Sequence, residues 1–152
     1  DLRNNPGGNL STVCDMLDLI LPEGTIVSTK DKNGNGSVIT SDEERQLNIP
    51  LAVLINGNSA SASEIFAGAV QDYGIGTLVG TTTYGKGIVQ ELYQMTDGTC
   101  LKITTSEYFA PSGRNIHGIG IRPDIEVKYE YDEANPEADN QLEAALNCLK
   151  EK

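Results

Sequence analysis

The residues best equipped for chemistry in this chain are a serine and a lysine 25 positions apart, Ser61 and Lys86. A serine hydroxyl is a weak nucleophile until a base takes its proton. A lysine can be that base only when neutral, and desolvation favours the neutral amine. Ser61 ends the stretch Asn56-Gly57-Asn58-Ser59-Ala60-Ser61, where an apolar run stops and a helical rhythm starts. A serine at that point leaves its own amide and that of Ala62 pointing outward, towards a developing oxyanion. Lys86 stands between Gly85 and Gly87, which allow the backbone to close tightly around the amine. Gln90, four residues on and on the same side of a strand as Lys86, carries an amide able to orient it. Asn4-Asn5-Pro6-Gly7-Gly8 is turn chemistry, and the amide of Gly7 or of Gly8 could join Ala62 in an oxyanion hole. Together these groups would carry out acyl transfer at Ser61. A plainer reading stays open, because serines routinely cap helices and a loop lysine is commonly just solvated.

Four other patterns come close to known chemistry and fall short. Gly80 to Lys86 follows a phosphate-binding P-loop as far as the lysine, but Gly87 stands where a hydroxyl must hold magnesium. The β-patterned Ile88 to Tyr93 then replaces the helix that would face the phosphates. Asp31, Asn33, Asn35, Gly36 and Asp42 are spaced like a calcium loop with Asp in the last place. Their flanks read as strands, so an Asn-Gly hairpin turn is expected there rather than calcium. Gly57 to Ser61 resembles a hydrolase nucleophile elbow without its final glycine. His117, the only histidine, could serve a conventional triad, but no aspartate is evidently paired with it.

The elements that must position these groups follow from periodicity. Leu10 to Leu21 reads as a helix with Val13, Met16, Leu17, Ile20 and Leu21 on one face, closed by Pro22 and Gly24. Thr25 to Thr29 and Val38 to Thr40 are β-rich around Asn33-Gly34-Asn35-Gly36. Leu51 to Ile55 is a strand, and the central helix runs from about Ser61 to Tyr73 with Gly74 as its stop. Thr77 to Val79 is a short strand. Ile88 to Gln94 and Cys100 to Phe109 should pair across Thr96-Asp97-Gly98. Ala110 to Pro123 is a Gly/Pro-rich loop, and Ile125 to Tyr129 a further strand. Pro136 suits the first position of a last helix in which Leu142, Ala145, Leu146 and Leu149 share a face. Asp1-Leu2-Arg3 reads as the end of a strand. The alternation predicts one α/β or mixed α+β domain across residues 1–152.

Composition narrows the partners. A formal charge of −11 argues against electrostatic binding to nucleic acid or anionic lipid. Three scattered cysteines, Cys14, Cys100 and Cys148, make neither a disulfide framework nor a zinc site. Cys14 and Cys148 fall in predicted amphipathic helices, where a small buried thiol is expected.

Several segments together resemble one family. Ser59-Ala60-Ser61-Ala62-Ser63-Glu64, the Ala67-Gly68-Ala69 helix and Tyr84-Gly85-Lys86-Gly87 are similar to the C-terminal processing peptidases, or tail-specific proteases. Asp1 to Gly8 looks like that family's Gly-rich turn. Tyr108 to Gly118 resembles its late loop, Gly120 to Asp124 the segment after it, and Gln141 to Leu146 a later helix. The resemblance implies a serine endopeptidase that cleaves protein or peptide substrates near exposed C-termini, without cofactor or metal. Its nucleophile falls on Ser61, its base on Lys86, its lysine-positioning glutamine on Gln90, and its oxyanion donors on Ala62 and on Gly7 or Gly8. His117 has no part in that scheme. The implied fold is the Clp-protease/crotonase type, ββα units in a superhelix. In the family, further core strands and a PDZ domain precede the Gly-Gly turn, so the chain is expected to be a catalytic-core fragment. Exported or envelope-anchored relatives imply an extracytoplasmic, membrane-associated or secreted parent protein. The alternative is a non-catalytic module, or an inactive fragment, that holds peptide C-termini; a calcium-stabilised structural domain is the third.

Overall fold

The computed structural model describes residues 1–150. The elements run α1 (Leu10–Asp18), β1 (Gly24–Lys30), β2 (Val38–Ser41), β3 (Ala52–Ile55), α2 (Ala62–Tyr73), β4 (Thr77–Gly80), β5 (Ile88–Gln94), β6 (Cys100–Phe109), β7 (Ile125–Glu126) and α3 (Asn140–Lys150). They form two sheets. One is parallel, in the order β3-β4-β7, and the other is antiparallel, in the order β2-β1-β6-β5.

The unbroken apolar run Leu51 to Ile55 is explained by burial on both faces of the parallel sheet. Successive residues alternate faces. Val53, Ile55 and Leu78 join the main core with Leu17, Leu21, Ile26, Val27, Ala67, Ala69 and Val70. Leu54 and Val79 point the other way and meet Ala145 of α3. The β3–β4 crossover is α2, nearly all of whose first nine residues are buried. Gly74, at φ +65°, ends it in the left-handed conformation that glycine favours. Small residues along α2 let the late loop approach: a Cβ on Gly68 would lie 3.2 Å from Ile121 Cδ1.

Four expectations are corrected. α1 stops at Asp18, and Leu19–Ile20 turn away before Leu21 re-enters the core. The buried face of α1 is Val13, Cys14 and Leu17, while Met16 is 51% exposed. The last strand shrinks to Ile125–Glu126, since β4 is itself only four residues long. The last helix starts at Asn140 and not at Pro136. Asp139 holds its N-terminus by accepting from the amides of Gln141 and Leu142 at 3.1 and 2.9 Å. Its buried face is Gln141 and Ala145, with Leu142 and Leu146 exposed. Leu2 sits in no named strand, though its amide donates to Leu54 O at 2.9 Å beside β3. No helix among the described residues is long and apolar enough to cross a membrane.

Candidate active site

The three serines around the start of α2 have different fates. Ser59 is fully buried; its hydroxyl donates to Leu2 O at 2.7 Å and accepts from Asn56 N at 2.9 Å. Ser63 is buried too, and its hydroxyl donates to Asn5 O at 3.0 Å. Both tie the serine loop to the N-terminal segment. Ser61, between them, sits in a capping box with Glu64, whose carboxylate accepts from the Ser61 amide at 3.0 Å; among the described residues the Ser61 hydroxyl closes no cap bond of its own. Its backbone lies at φ 57°, ψ −118°, a region that costs a non-glycine residue about 1–3 kcal/mol. Strain of this kind turns a side chain out of the chain's path at a strand-to-helix corner, which is the mechanical purpose of a nucleophile elbow.

The surroundings hold that corner in place. Asn4 Oδ1 accepts from the amides of Asn56 and Asn58 side chains at 3.0 and 2.9 Å, and Ala60 N donates to Asn5 O at 3.0 Å. Gly7, at φ +95°, lies against the turn so closely that a Cβ would sit 2.6 Å from Ala60 O and 2.8 Å from Ala62 N. The Gly7 amide is engaged by Asn5 Oδ1 at 2.9 Å. Among the described residues the amides of Gly8 and Ala62 have no hydrogen-bond partner.

Glu64 is the group that sequence reading missed. It is 1% exposed, and its carboxylate accepts four hydrogen bonds. Oε1 takes Thr83 Oγ1 at 2.6 Å and Gly85 N at 2.7 Å. Oε2 takes Lys86 N at 2.8 Å and Ser61 N at 3.0 Å. The backbones of nucleophile and base candidates thus meet on one oxygen atom. A buried carboxylate survives only if its lone pairs are satisfied; the Gly80–Gly87 loop supplies three of the four donors and Ser61 the fourth. The P-loop likeness has its explanation here: the amides that would cradle a phosphate already hold the protein's own carboxylate. The signal was present as a serine followed three residues later by glutamate at a helix start.

The glycines beside Lys86 serve close packing. Gly118 N donates to Gly85 O at 2.9 Å, and a Cβ on Gly87 would lie 2.7 Å from His117 N. Thr83 and Ile121 exchange bonds, Thr83 N to Ile121 O at 3.1 Å and Ile121 N to Thr83 Oγ1 at 2.8 Å. The late loop therefore braces the lysine loop.

Ser61, Ala62, Lys86, Gln90, Gly8 and Tyr108 line one cavity of about 300 Å³, whose walls include Val27, Ile65, Val89 and Leu92. Lys86 is half-buried, and among the described residues its amine has neither a paired carboxylate nor a hydrogen bond to the Ser61 hydroxyl. Gln90 Nε2 donates to Thr104 Oγ1 at 3.4 Å, with no bond to Lys86 among the described residues. His117 is exposed, lies outside this cavity, and donates its backbone N–H to Asn115 Oδ1 at 2.7 Å. A larger cleft of about 540 Å³ beside Gln46–Leu51 contains no titratable side chain. At the calcium-like loop, Asp31 Oδ1 accepts from Asn33 N and Asn35 N, both at 2.8 Å, closing its own turn. The described residues contain no group of three or more His, Cys, Asp or Glu able to share a metal.

The sequence model of the family described as Peptidase family S41 matches residues 1–127. A carboxyl-terminal-processing protease of Synechocystis sp. is 44% identical over 152 residues, covering 98% of this chain and 36% of the relative. A carboxy-terminal-processing protease of Bartonella bacilliformis is 45% identical over 130 residues, covering 84% and 30%. The solved structure of a photosystem II D1 C-terminal processing protease superposes with a TM-score of 0.79 at 32% identity, covering 98% of this chain and 37% of that one. The chain thus spans about a third of the length of the relatives it matches. The shared architecture is the Clp-like mixed α/β fold.

Proposed function

Because the chain belongs to peptidase family S41, a family of C-terminal processing serine proteases, we propose that the protein carrying it cuts protein substrates near their C-termini, with Ser61 as nucleophile and Lys86 as base. The observation that supports this pairing above all is the shared oxygen of Glu64, which draws the two backbones together. Neutral Lys86 takes the Ser61 proton as Oγ attacks the scissile carbonyl carbon. The resulting oxyanion accepts from the Ala62 amide and a glycine amide. Of Gly7 and Gly8, the latter is the better donor, since its N–H is uncommitted while Asn5 engages Gly7. The Lys86 ammonium returns the proton to the leaving amine, and an ester remains on Ser61. Water then attacks that ester as Lys86 accepts its proton; on collapse Lys86 passes the proton to the departing Ser61 Oγ, and the product leaves as a carboxylic acid that ionises in solution.

The cavity walls are mainly apolar, with Lys102 as a second cation besides Lys86, and suit an apolar side chain beside the cut bond. Gln90 lines the same cavity, and we assign it the orienting of the Lys86 amine, a bond it would make by giving up Thr104. The family points to an extracytoplasmic parent protein.

The test is performed on the full-length protein. Lys86→Ala should lower kcat by about 10²–10⁴-fold with KM little changed, and Ser61→Ala should abolish labelling by a serine-directed phosphonate. His117→Ala should retain activity. Normal cleavage by Lys86→Ala, or a dead His117→Ala, sinks the assignment. A module that merely holds peptide C-termini would bind peptide yet leave Ser61 unlabelled.

A further inference from the structure

Glu64 grips both dyad residues by their N–H groups, and the opposite ends of the same two residues converge on a second buried side chain. Tyr108, near the end of β6, is 4% exposed. Its hydroxyl lies 3.2 Å from Ser61 O and closer still to Lys86 O. The Tyr108 amide donates to Gly87 O at 3.1 Å, and its backbone is paired with Thr29 of β1. The phenol is thereby carried on a strand bonded on both sides, a rigid mount.

We propose that Tyr108 is a positioning residue for the Ser61/Lys86 pair, acting by donation to the Lys86 carbonyl with the Ser61 carbonyl beside it; this rests on the reading of that pair as nucleophile and base. The reason is geometric. The N–H of Lys86 belongs to the peptide plane before its Cα, and its C=O to the plane after. Glu64 fixes the first plane and Tyr108 the second, so φ and ψ of Lys86 are both set. The direction of the Cα–Cβ bond, from which the stem of the amine starts, follows. Lys86 has neither a helix nor a strand to do this for it, and Gly87 next to it would otherwise let the second plane swing. For Ser61 the contribution is smaller, because its carbonyl already accepts from Glu64 N at 2.8 Å and Ile65 N at 3.0 Å. A phenol carries one proton, so Lys86 O, the nearer acceptor, receives it. Burial, with the Glu64 carboxylate adding to it, pushes this phenol well above its ordinary pKa, and the donor stays protonated.

Tyr108→Phe in the full-length protein removes the hydroxyl and keeps the ring. It should lower kcat by about tenfold to a hundredfold, leave KM within about twofold, and shift Tm by no more than about 4 °C. The rising limb of the rate against pH should move to higher pH, because an amine free to swing into water is harder to deprotonate. Hydrogen exchange at the Gly85 and Lys86 amides should quicken by about tenfold. That exchange is also read in a Ser61→Ala background. Faster exchange without any phosphonate labelling of the wild type would uphold the clamp and overturn the reaction. Labelling with unchanged kcat, pH limb and exchange in Tyr108→Phe would overturn the clamp alone. A Phe variant that loses activity only in proportion to its unfolded fraction, with the limb in place, would overturn it too.

Discussion

The loops around Ser61 and the β5–β6 hairpin are both built from polar turns, yet they are held by opposite means. Around Ser61 the bonds reach far along the chain: Ser59 to Leu2, Ser63 to Asn5 and Asn56 to Asn4 span 52 to 58 positions. In the hairpin they are local, with Asp97 Oδ1 accepting from Thr99 and Tyr93 donating to Glu91 two residues away. The hairpin exposes Leu92, Tyr93, Met95, Leu101 and Ile103, while the serine loop buries the hydroxyl-bearing Ser59 and Ser63. Where atoms must be placed to a fraction of an ångström, long-range cross-links fix them from several directions. Where only a strand pair is needed, neighbours suffice.

The comparison is broken most severely at Glu64. Glu64→Ala leaves four donors without their acceptor and should cost about 3–5 kcal/mol by denaturant titration; a loss under about 1 kcal/mol would show the network to be ornamental. Gly7→Ala forces a Cβ against Ala60 and Ala62 in a left-handed backbone. A loss of about 1–3 kcal/mol is expected, with slower phosphonate labelling of Ser61. Ser59→Ala strands Asn56 N and leaves Leu2 O with the Asn5 amide alone, for about 1–2 kcal/mol in thermal unfolding, but should leave Ser61 reactive. On the hairpin, Leu101→Thr should fall within about 0.5 kcal/mol of wild type. The weakest effect concerns Asp97. The Thr99 hydroxyl and then its amide hold this carboxyl below its ordinary value. Its support for the turn is therefore present above the unfolded-state pKa and lost as pH falls through the lowered folded value. NMR titration should give a midpoint under the usual value of about 3.9, and Asp97→Asn should leave global unfolding unmoved.

Legibility in the sequence divides along the same line. Local signals read true: Gly74 stops α2, Asn33-Gly34 turns β1 into β2, and Thr96-Asp97-Gly98 joins β5 to β6. Ser61 and Lys86 stood out because glycines and small residues surround them. What stayed hidden was whatever depends on contacts between distant segments. Pro136 looked like a helix start, but Asp139, tied to Arg3 at 2.7 Å, takes that role three residues later. Ser59 and Ser63 carry the same side chain as Ser61, and only the N-terminal segment packed over them tells the three apart. Tyr108 reads as one more apolar residue of a strand, since nothing in a β pattern says which carbonyl its hydroxyl will find. Gln90 lies at the cavity, with its amide turned to Thr104, a partner on the neighbouring strand that spacing along one strand cannot foresee.

A single oxygen, Glu64 Oε2, serves as the common datum from which two groups 25 positions apart are measured. Errors in the intervening helix and strand then need not accumulate into the gap between alcohol and amine, much as two rulers zeroed on one mark agree however long each is. Residues added or removed in the Gly74–Gly76 connection should therefore be tolerated better than a one-residue change between Ser61 and Glu64, which would move the mark itself.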